Sequence, residues 1–218
     1  MTADLLEYYA RRAREYEEIY ARPERQADLE RVRAWLRGEL SGRSVLEVAC
    51  GTGYWTARLA QAAESIVATD AGPEVLEAAR RKPCPADRVR FLIADAYDLG
   101  GVPGEFDAAF AGFFWSHVPV ARIPAFLRSL HGRLGRGARV VLLDNRYVAG
   151  SSTRLARRDE GGDTYQRRRL ADGSEHEVLQ NFPSPAELNE QLGAFAAGLR
   201  VVEFDYFWGA SYETNGTP

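Results

Sequence analysis

The segment from Val45 to Gly53, with the sequence VLEVACGTG, constrains the fold of this chain more than any other. Its apolar residues surround a single acid, Glu47, which predicts a buried parallel strand that breaks into a Gly-x-Gly turn. The apolar-faced segment 54–63 then predicts a helix. Open α/β sheets use a strand, a glycine turn and a helix in this order to present backbone N–H groups to nucleotide-like ligands. The segment therefore predicts a ligand site at this turn.

Strand and helix patterns alternate after the turn. Further strands are predicted at 65–69, 89–94, 106–111, 139–144, 200–205 and 207–212, and helices at 73–81 and 120–133. Such alternation implies parallel strands with helices on both faces. The predicted fold class is α/β, a Rossmann-like, doubly wound and mostly parallel seven-stranded sheet.

Three further regions surround this predicted core. N-terminal helices are expected at 3–21 and 24–40, a β-hairpin with strands 164–170 and 175–180 after strand five, and a closing helix at 185–197 that Ser184 and Glu187 begin as a capping box. We predict a single domain over residues 1–218. It comprises an N-terminal helical cap (1–43), a cofactor-binding core (44–145), an insertion with the hairpin (146–182), and a closing helix and strands (183–213).

The composition limits the partners and the cellular location that we expect for this chain. The 218 residues are 45% apolar and carry a formal net charge of −3, which gives no general attraction to nucleic acid or to anionic membranes. No apolar stretch reaches the roughly 18–20 residues of a membrane span, and the N-terminus lacks the apolar region of a secretion signal. We expect a cytoplasmic monomer or homodimer whose partners include neither membrane nor nucleic acid.

Acids follow three of the predicted strands. Glu47, Asp70 and Asp95 all lie at carboxyl ends of strands, which face one crevice in a doubly wound sheet. Three carboxylates there favour a ligand with hydroxyls, an amine and positive charge, and they disfavour phosphates. Thr56 also stands where a dinucleotide-binding fingerprint has its third glycine. A nucleotide-binding oxidoreductase is therefore the disfavoured alternative.

The sequence EVACGTG at 47–53 resembles motif I of the class I S-adenosylmethionine-dependent methyltransferases, and the resemblance extends over residues 44–145. It implies S-adenosylmethionine as cofactor and S-adenosylhomocysteine as product. Ala49 stands where the family has its first motif glycine, and the segment 134–137 stands where the family has a proline–glycine turn before strand five.

The resemblance also implies which residues contact the cofactor. Glu47 orients the loop and the ammonium group, Asp70 accepts the ribose hydroxyls, and Asp95 with the Ala96 amide binds the adenine edge. An aromatic N-terminal helix covers the cofactor. The full set of cofactor contacts is Tyr16, Glu47, Ala49, Gly51, Thr52, Gly53, Asp70, Ala71, Asp95, Ala96 and Phe113.

In this fold the segment 112–119 after strand four lies beside the transferred methyl group. His117 is the candidate catalytic residue, because an imidazole titrates near neutral pH and accepts a proton from a hydroxyl or an amine. The alternative is that His117 caps a helix that begins at Val118. The segment lacks the Asn/Asp-Pro-Pro-aromatic sequence of enzymes that methylate amides or adenine amino groups, which argues against those substrates.

Asp144 and Asn145 resemble the magnesium-binding pair of catechol-type enzymes, but the third ligand is missing after strand four, so we expect no metal. An arginine-rich segment, 154–169, is open to three interpretations: an anion clamp, a tRNA-binding patch or a solvated hairpin. The remaining candidates for substrate contact are Tyr9, Tyr20, Trp115, Arg146, Tyr147 and Tyr165.

The predicted function is transfer of a methyl group from S-adenosylmethionine to an O, N or C atom of a small organic molecule. A nucleic-acid methyltransferase that uses the arginine-rich segment is the first alternative. A nucleotide-binding oxidoreductase and a non-catalytic cofactor-binding protein are the others.

Overall fold

The computed structural model of the chain describes residues 17–169 and 173–216. They form a seven-stranded sheet of order β3-β2-β1-β4-β5-β10-β9 and a three-stranded sheet of order β6-β7-β8. The strands are β1 Ser44–Val48, β2 Ser65–Asp70, β3 Val89–Ile93, β4 Phe106–Gly112, β5 Leu134–Asn145, β6 Leu155–Arg158, β7 Thr164–Arg169, β8 Glu175–Leu179, β9 Ala196–Glu203 and β10 Phe207–Thr214. The predicted seven-stranded α/β sheet is confirmed.

The helices are α1 Glu18–Ala21, α2 Gln26–Leu40, α3 Tyr54–Leu59, α4 Pro73–Arg80, α5 Ile123–His131 and α6 Pro185–Gly193, with 3₁₀ turns at Pro23–Arg25, Trp115–His117 and Val120–Arg122. The capping box that was predicted at Ser184 is present: its hydroxyl accepts the Glu187 N–H, and the Glu187 carboxylate accepts the Ser184 N–H. Of the predicted helix 3–21, residues 3–16 lie outside the described part of the chain.

The topology places the site. Strands β1 to β5 are parallel, and the chain order reverses between β1 and β4, which are direct neighbours. Ligands bind at such a switch point, outside the carboxyl ends of the strands. Antiparallel β10 then pairs with β5 so that Phe207 lies opposite Asn145, and it brings the start of β10 to the same edge.

Two apolar clusters cover the two faces of the large sheet. One packs α5 and α6 against residues such as Leu142 and Trp208, and the other packs α2 and α3 against residues such as Val141 and Phe207. Side chains of neighbouring residues in a strand point to opposite faces, so each strand supplies both clusters. The inner strands of the sheet are buried on both sides, which explains their continuous apolar residues, whereas the edge strands β3 and β9 are partly exposed.

Several predicted boundaries were wrong. The segment 134–137, expected as a turn, belongs to β5, whose pairing with β4 shifts register between Phe106 and Ala108. The helix expected to reach 63 ends at Leu59, and the closing helix ends at Gly193 because β9 already begins at Ala196. Pairing with a neighbouring strand decided these ends, and local patterns do not show it.

The insertion after β5 contains one strand more than expected. The predicted hairpin is present as β7 and β8, but residues 170–172, in and beside the predicted loop, lie outside the described residues. Strand β6 was missed, and it pairs antiparallel to β7. Its four residues are all exposed, so it lacks the alternation that identifies a half-buried strand.

Candidate active site

The glycine turn after β1 has an unusual backbone. Ala49, Gly51 and Gly53 all have positive φ angles, of 55°, 55° and 75°. A Cβ atom at Gly53 would lie 3.0 Å from the Cβ of Ala79, so this position also needs glycine for close packing on α4. Ala49 has no such freedom, and its left-handed conformation costs roughly 1 kcal/mol. Backbone strain of this kind clusters at functional sites.

Glu47 is buried at the base of this turn. Its side chain is 2% exposed, and within the described residues its Oε2 atom has no hydrogen-bond partner. Burial raises the pKa of the carboxyl group to about 8, because removal from water disfavours the charged form. A cationic ligand could donate the hydrogen bond that Oε2 lacks among the described residues.

Asp70 ends β2 beside the glycine turn. Its two carboxylate oxygens accept the N–H groups of Gly51 and Gly72, each at 2.9 Å, while burial raises its pKa. Asp95 follows β3, is exposed, and accepts the Tyr97 N–H at 3.0 Å. The structure thus brings the three predicted acids to the same edge of the sheet.

The N-terminal segment reaches the glycine turn through Glu17. The Thr52 hydroxyl donates to Glu17 Oε1 at 2.7 Å, and the Lys82 ammonium lies 2.6 Å from the same oxygen. Glu17, the first described residue, therefore lies directly beside the predicted cofactor loop. Tyr9 and Tyr16 lie outside the described residues.

Aromatic rings pack at the end of β4. Phe113 has a positive φ of 60°, and its ring stacks on Trp55 with centroids 6.1 Å apart. Tyr20 is 6% exposed, stacks on Tyr54 at 3.8 Å and meets the edge of Phe113 at 5.6 Å. Tyr20, a predicted substrate contact, is thus part of the aromatic packing.

His117 joins the post-β4 segment to the insertion. Its Nδ1 lies 2.7 Å from the carbonyl oxygen of Leu179. A carbonyl only accepts hydrogen bonds, so Nδ1 carries the proton and Nε2 is the basic nitrogen of the neutral ring. The contact with Leu179 O therefore fixes the tautomer and the ring orientation of His117.

Asn181 holds the insertion against the same segment. Its side-chain amide donates to Val118 O at 3.2 Å and to Asp163 Oδ1 at 2.8 Å, and its Oδ1 accepts the Thr164 N–H at 2.8 Å. Asp163 Oδ1 also accepts the Val120 N–H at 2.9 Å. These buried bonds join residues that are 17 to 63 positions apart in the chain.

Asp144 is a buried hydrogen-bond acceptor at the end of β5. It accepts the N–H and hydroxyl of Ser116 at 2.8 and 3.1 Å and the N–H of Asn145 at 2.7 Å. Burial raises its pKa to about 6. Asp144 therefore ties the end of β5 to the turn after β4. No group of three His, Cys, Asp or Glu side chains suited to a metal occurs within residues 17–169 and 173–216.

A cavity of about 760 Å³ lies between the post-β4 segment, α6 and the insertion. Trp115 and Tyr147 line it, together with Phe182, which meets the ring of Tyr147 at 5.5 Å. The other two described substrate candidates have different partners. Arg146 binds Phe204 O and Glu203, and Tyr165 donates to Asp159 at 3.0 Å.

Some arginines of the insertion contact neighbouring side chains and others are exposed. Arg157 pairs with Glu177 at 2.6 Å, and Arg168 Nη2 donates to Gln166 and Gln180. Arg167 and Arg169 are exposed on β7. Arginines therefore occur on both faces of the strand, as the alternation predicted.

Sequence reasoning missed Arg25 and Asn181. Arg25, in the 3₁₀ turn before α2, is 5% exposed and lies over the rings of Tyr206 and Phe207. The residues that bury it are about 180 positions away, so no local pattern indicates the burial. The side-chain hydrogen-bond partners of Asn181 lie 17 to 63 positions away, so no local pattern indicates its role either.

No helix in the described ranges, 17–169 and 173–216, has the length and hydrophobicity that a membrane crossing needs.

Comparison with known proteins identifies the family. The methyltransferase-domain family matches residues 45–137. A demethylmenaquinone methyltransferase of Clavibacter sepedonicus is 32% identical over 177 residues, which cover 75% of this chain and 68% of the relative. A ubiquinone biosynthesis O-methyltransferase of Xanthomonas euvesicatoria is 30% identical and covers 77% of this chain and 66% of the relative.

A solved structure is similar along the whole chain. The complex of DhpI with SAH superposes with a TM-score of 0.76 at 30% identity, and the match covers 100% of both chains. Together with the glycine turn and the acids at the strand ends, these matches establish the family. The chain belongs to the class I S-adenosylmethionine-dependent methyltransferases.

Proposed function

We propose that this methyltransferase acts on a small organic molecule, at an O, N or C atom, without a metal ion and with His117 as general base. The curated relatives named for quinone biosynthesis support a small acceptor. The proposed setting is a cytoplasmic monomer or homodimer. The formal net charge of −3 and the pairing of Arg157 with Glu177 disfavour the nucleic-acid alternative.

The observation that carries the proposal is Glu47 Oε2, which has no hydrogen-bond partner within residues 17–169 and 173–216. A buried carboxylate oxygen beside a glycine turn fits the ammonium group of S-adenosylmethionine, which neutralises it and supplies hydrogen bonds. Asp70 and Asp95 supply acceptors for hydroxyl and amine groups at the neighbouring strand ends. The remaining proposed cofactor contacts are Tyr16, Ala49, Gly51, Thr52, Gly53, Ala71, Ala96 and Phe113.

When bound, the cofactor would supply an electrophilic methyl group on its sulfonium. The acceptor atom would form a bond to that methyl carbon while the opposite C–S bond breaks, and S-adenosylhomocysteine would be the leaving group. The protein then has to position the acceptor and exclude water. Phe113 and Trp115 provide apolar surface, and the candidate acceptor contacts are Tyr9, Tyr20, Trp115, Arg146, Tyr147 and Tyr165. His117, with Nδ1 fixed on Leu179 O, takes the acceptor proton on Nε2.

Calorimetry with S-adenosylhomocysteine and with NAD tests the proposal. We expect S-adenosylhomocysteine to bind and NAD not to bind. Because Glu47 has a pKa of about 8, it holds a proton at neutral pH, and the ligand ammonium lowers that pKa. Binding at about pH 7 should therefore release close to one proton, measured from the dependence of the binding heat on the ionisation enthalpy of the buffer.

The Glu47→Gln variant is the control, since it has no proton to release. Tight NAD binding without S-adenosylhomocysteine binding contradicts the proposal. Binding with equal proton release in wild type and variant removes Glu47 from the ammonium site. Loss of activity with a chelator, restored by magnesium, contradicts metal independence.

A further inference from the structure

Arg25 is a buried cation with unused hydrogen-bond donors. Its side chain is 5% exposed, and Nε and Nη1 have no hydrogen-bond partner in the described part of the chain. The third nitrogen, Nη2, donates to Ser151 Oγ at 3.5 Å. Buried guanidinium groups remain protonated, so both the charge and the donors are in place.

The neighbouring acids do not neutralise Arg25. Asp28 is buried, but it accepts Arg31 Nη1 at 3.1 Å and the N–H groups of Asp205 and Tyr206 at 3.2 and 2.8 Å. Glu24 is exposed to water. In residues 17–169 and 173–216 Arg25 forms no ion pair. A buried charge without a partner is unfavourable for the fold, and a function explains its presence better than stability does.

Arg25 lies at the edge of the sheet where the acceptor is expected. Its guanidinium carbon is 5.2 Å from the ring centroid of Tyr206 and 5.8 Å from that of Phe207. Phe207 pairs with Asn145, the last residue of β5, and its ring meets Phe113 at 5.6 Å. One aromatic ring thus separates Arg25 from the residue that follows β4.

We propose that Arg25 binds an anionic group of the methyl acceptor, a carboxylate, phosphate or phosphonate, at the carboxyl end of β5. The inference rests on the proposed function and adds a substrate class to it. The unpaired N–H groups on Nε and Nη1 donate to the oxyanion, which neutralises the buried charge. Tyr206 and Phe207 hold the planar guanidinium from one side through cation–π contact.

Three probes that carry the same phenyl ring test this inference. Phenylphosphonate, benzoate and benzamide are each titrated into the protein saturated with S-adenosylhomocysteine. We expect at least one anion to bind in calorimetric titration and the neutral benzamide not to bind. Which anion binds distinguishes a phosphonate-type from a carboxylate acceptor. Arg25→Met should weaken anion binding at least tenfold and leave S-adenosylhomocysteine binding unchanged.

Arg37→Met is the matched control, because Arg37 is an exposed arginine on α2 and its loss changes the net charge equally. Arg25→Lys, which keeps the charge, should lose less anion affinity than Arg25→Met. The melting temperature of Arg25→Met without ligand should equal or exceed that of the wild type, whereas a structural role predicts a lower one.

Three results overturn the inference: benzamide binds as well as the anions, none of the probes binds, or Arg25→Met leaves anion affinity unchanged. Failure of S-adenosylhomocysteine to bind the wild type contradicts the proposed function instead, so the two failures are distinguishable.

Discussion

The two halves of the candidate site are built differently. The proposed cofactor half consists of the glycine turn and the acids of β1, β2 and β3, and most of it falls within one segment of about fifty residues, 47–96. The proposed acceptor half combines the 3₁₀ turn before α2, the segment after β4 and the insertion. Its joining bonds, such as His117 to Leu179 and Asn181 to Val118, span more than sixty residues.

This difference indicates which half of the site can vary in sequence within the family. The glycine turn needs particular backbone angles, and neighbouring residues provide them. The acceptor half needs only that distant segments dock, which many sequences achieve. Changes in one half should therefore leave the other half intact, and four substitutions test that separation.

His117→Ala should have the largest effect. Loss of a general base lowers turnover by about 10² to 10⁴-fold, and S-adenosylhomocysteine affinity should stay unchanged because His117 lies outside the glycine turn and the acids at the strand ends. Steady-state kinetics and calorimetry measure the two quantities. If turnover and affinity fall together with the melting temperature, His117 is structural and acts through its contact with Leu179 O. The cap alternative does not apply, because the following helical turn begins at Val120 with Pro119 as its N-cap.

Asp70→Ala should produce the opposite split. Removing charged hydrogen-bond acceptors weakens S-adenosylhomocysteine binding by on the order of 1–3 kcal/mol. Turnover at saturating cofactor should fall less than for His117→Ala. Asp87→Ala, an exposed acid on a loop, is the control. An unchanged dissociation constant would remove Asp70 from the cofactor site.

Asn181→Ala should loosen the insertion. The substitution leaves the Val118 carbonyl and the Thr164 N–H without their partner, which costs about 2 kcal/mol and lowers the melting temperature by roughly 4–8 °C. Asn189→Ala, which removes an exposed amide on α6, should change it by far less. Equal shifts in the two variants contradict the docking role of Asn181.

Ala49→Gly should have the smallest effect, and it should be stabilising. Glycine adopts the φ of 55° without strain, which is worth about 0.5–1 kcal/mol after the entropy of the unfolded chain is counted. Ala57→Gly, inside α3, should lose a similar amount. Chemical denaturation measures both, and a destabilised Ala49→Gly would show that the methyl group of Ala49 matters for packing.

Much of the fold follows from local patterns. The glycine turn, the strand and helix alternation, and the capping box at Ser184 each involve residues close in sequence, and each prediction of existence was confirmed. Element ends were less predictable. The start of β5 at Leu134 depends on its pairing with Phe106, and the exposed β6 exists only because β7 lies beside it.

Some features of the candidate site could likewise be predicted from the sequence and others could not. The sequence by itself determined the α/β class, the glycine turn and the acids that meet at one edge, because parallel strands place their carboxyl ends together. Only the tertiary structure decided that Leu179 fixes the proton of His117 and that, among the described residues, Glu47 Oε2 has no hydrogen-bond partner and buried Arg25 no counter-charge. The physical reason is that burial and hydrogen-bond partners come from distant segments, whereas backbone turns come from near neighbours.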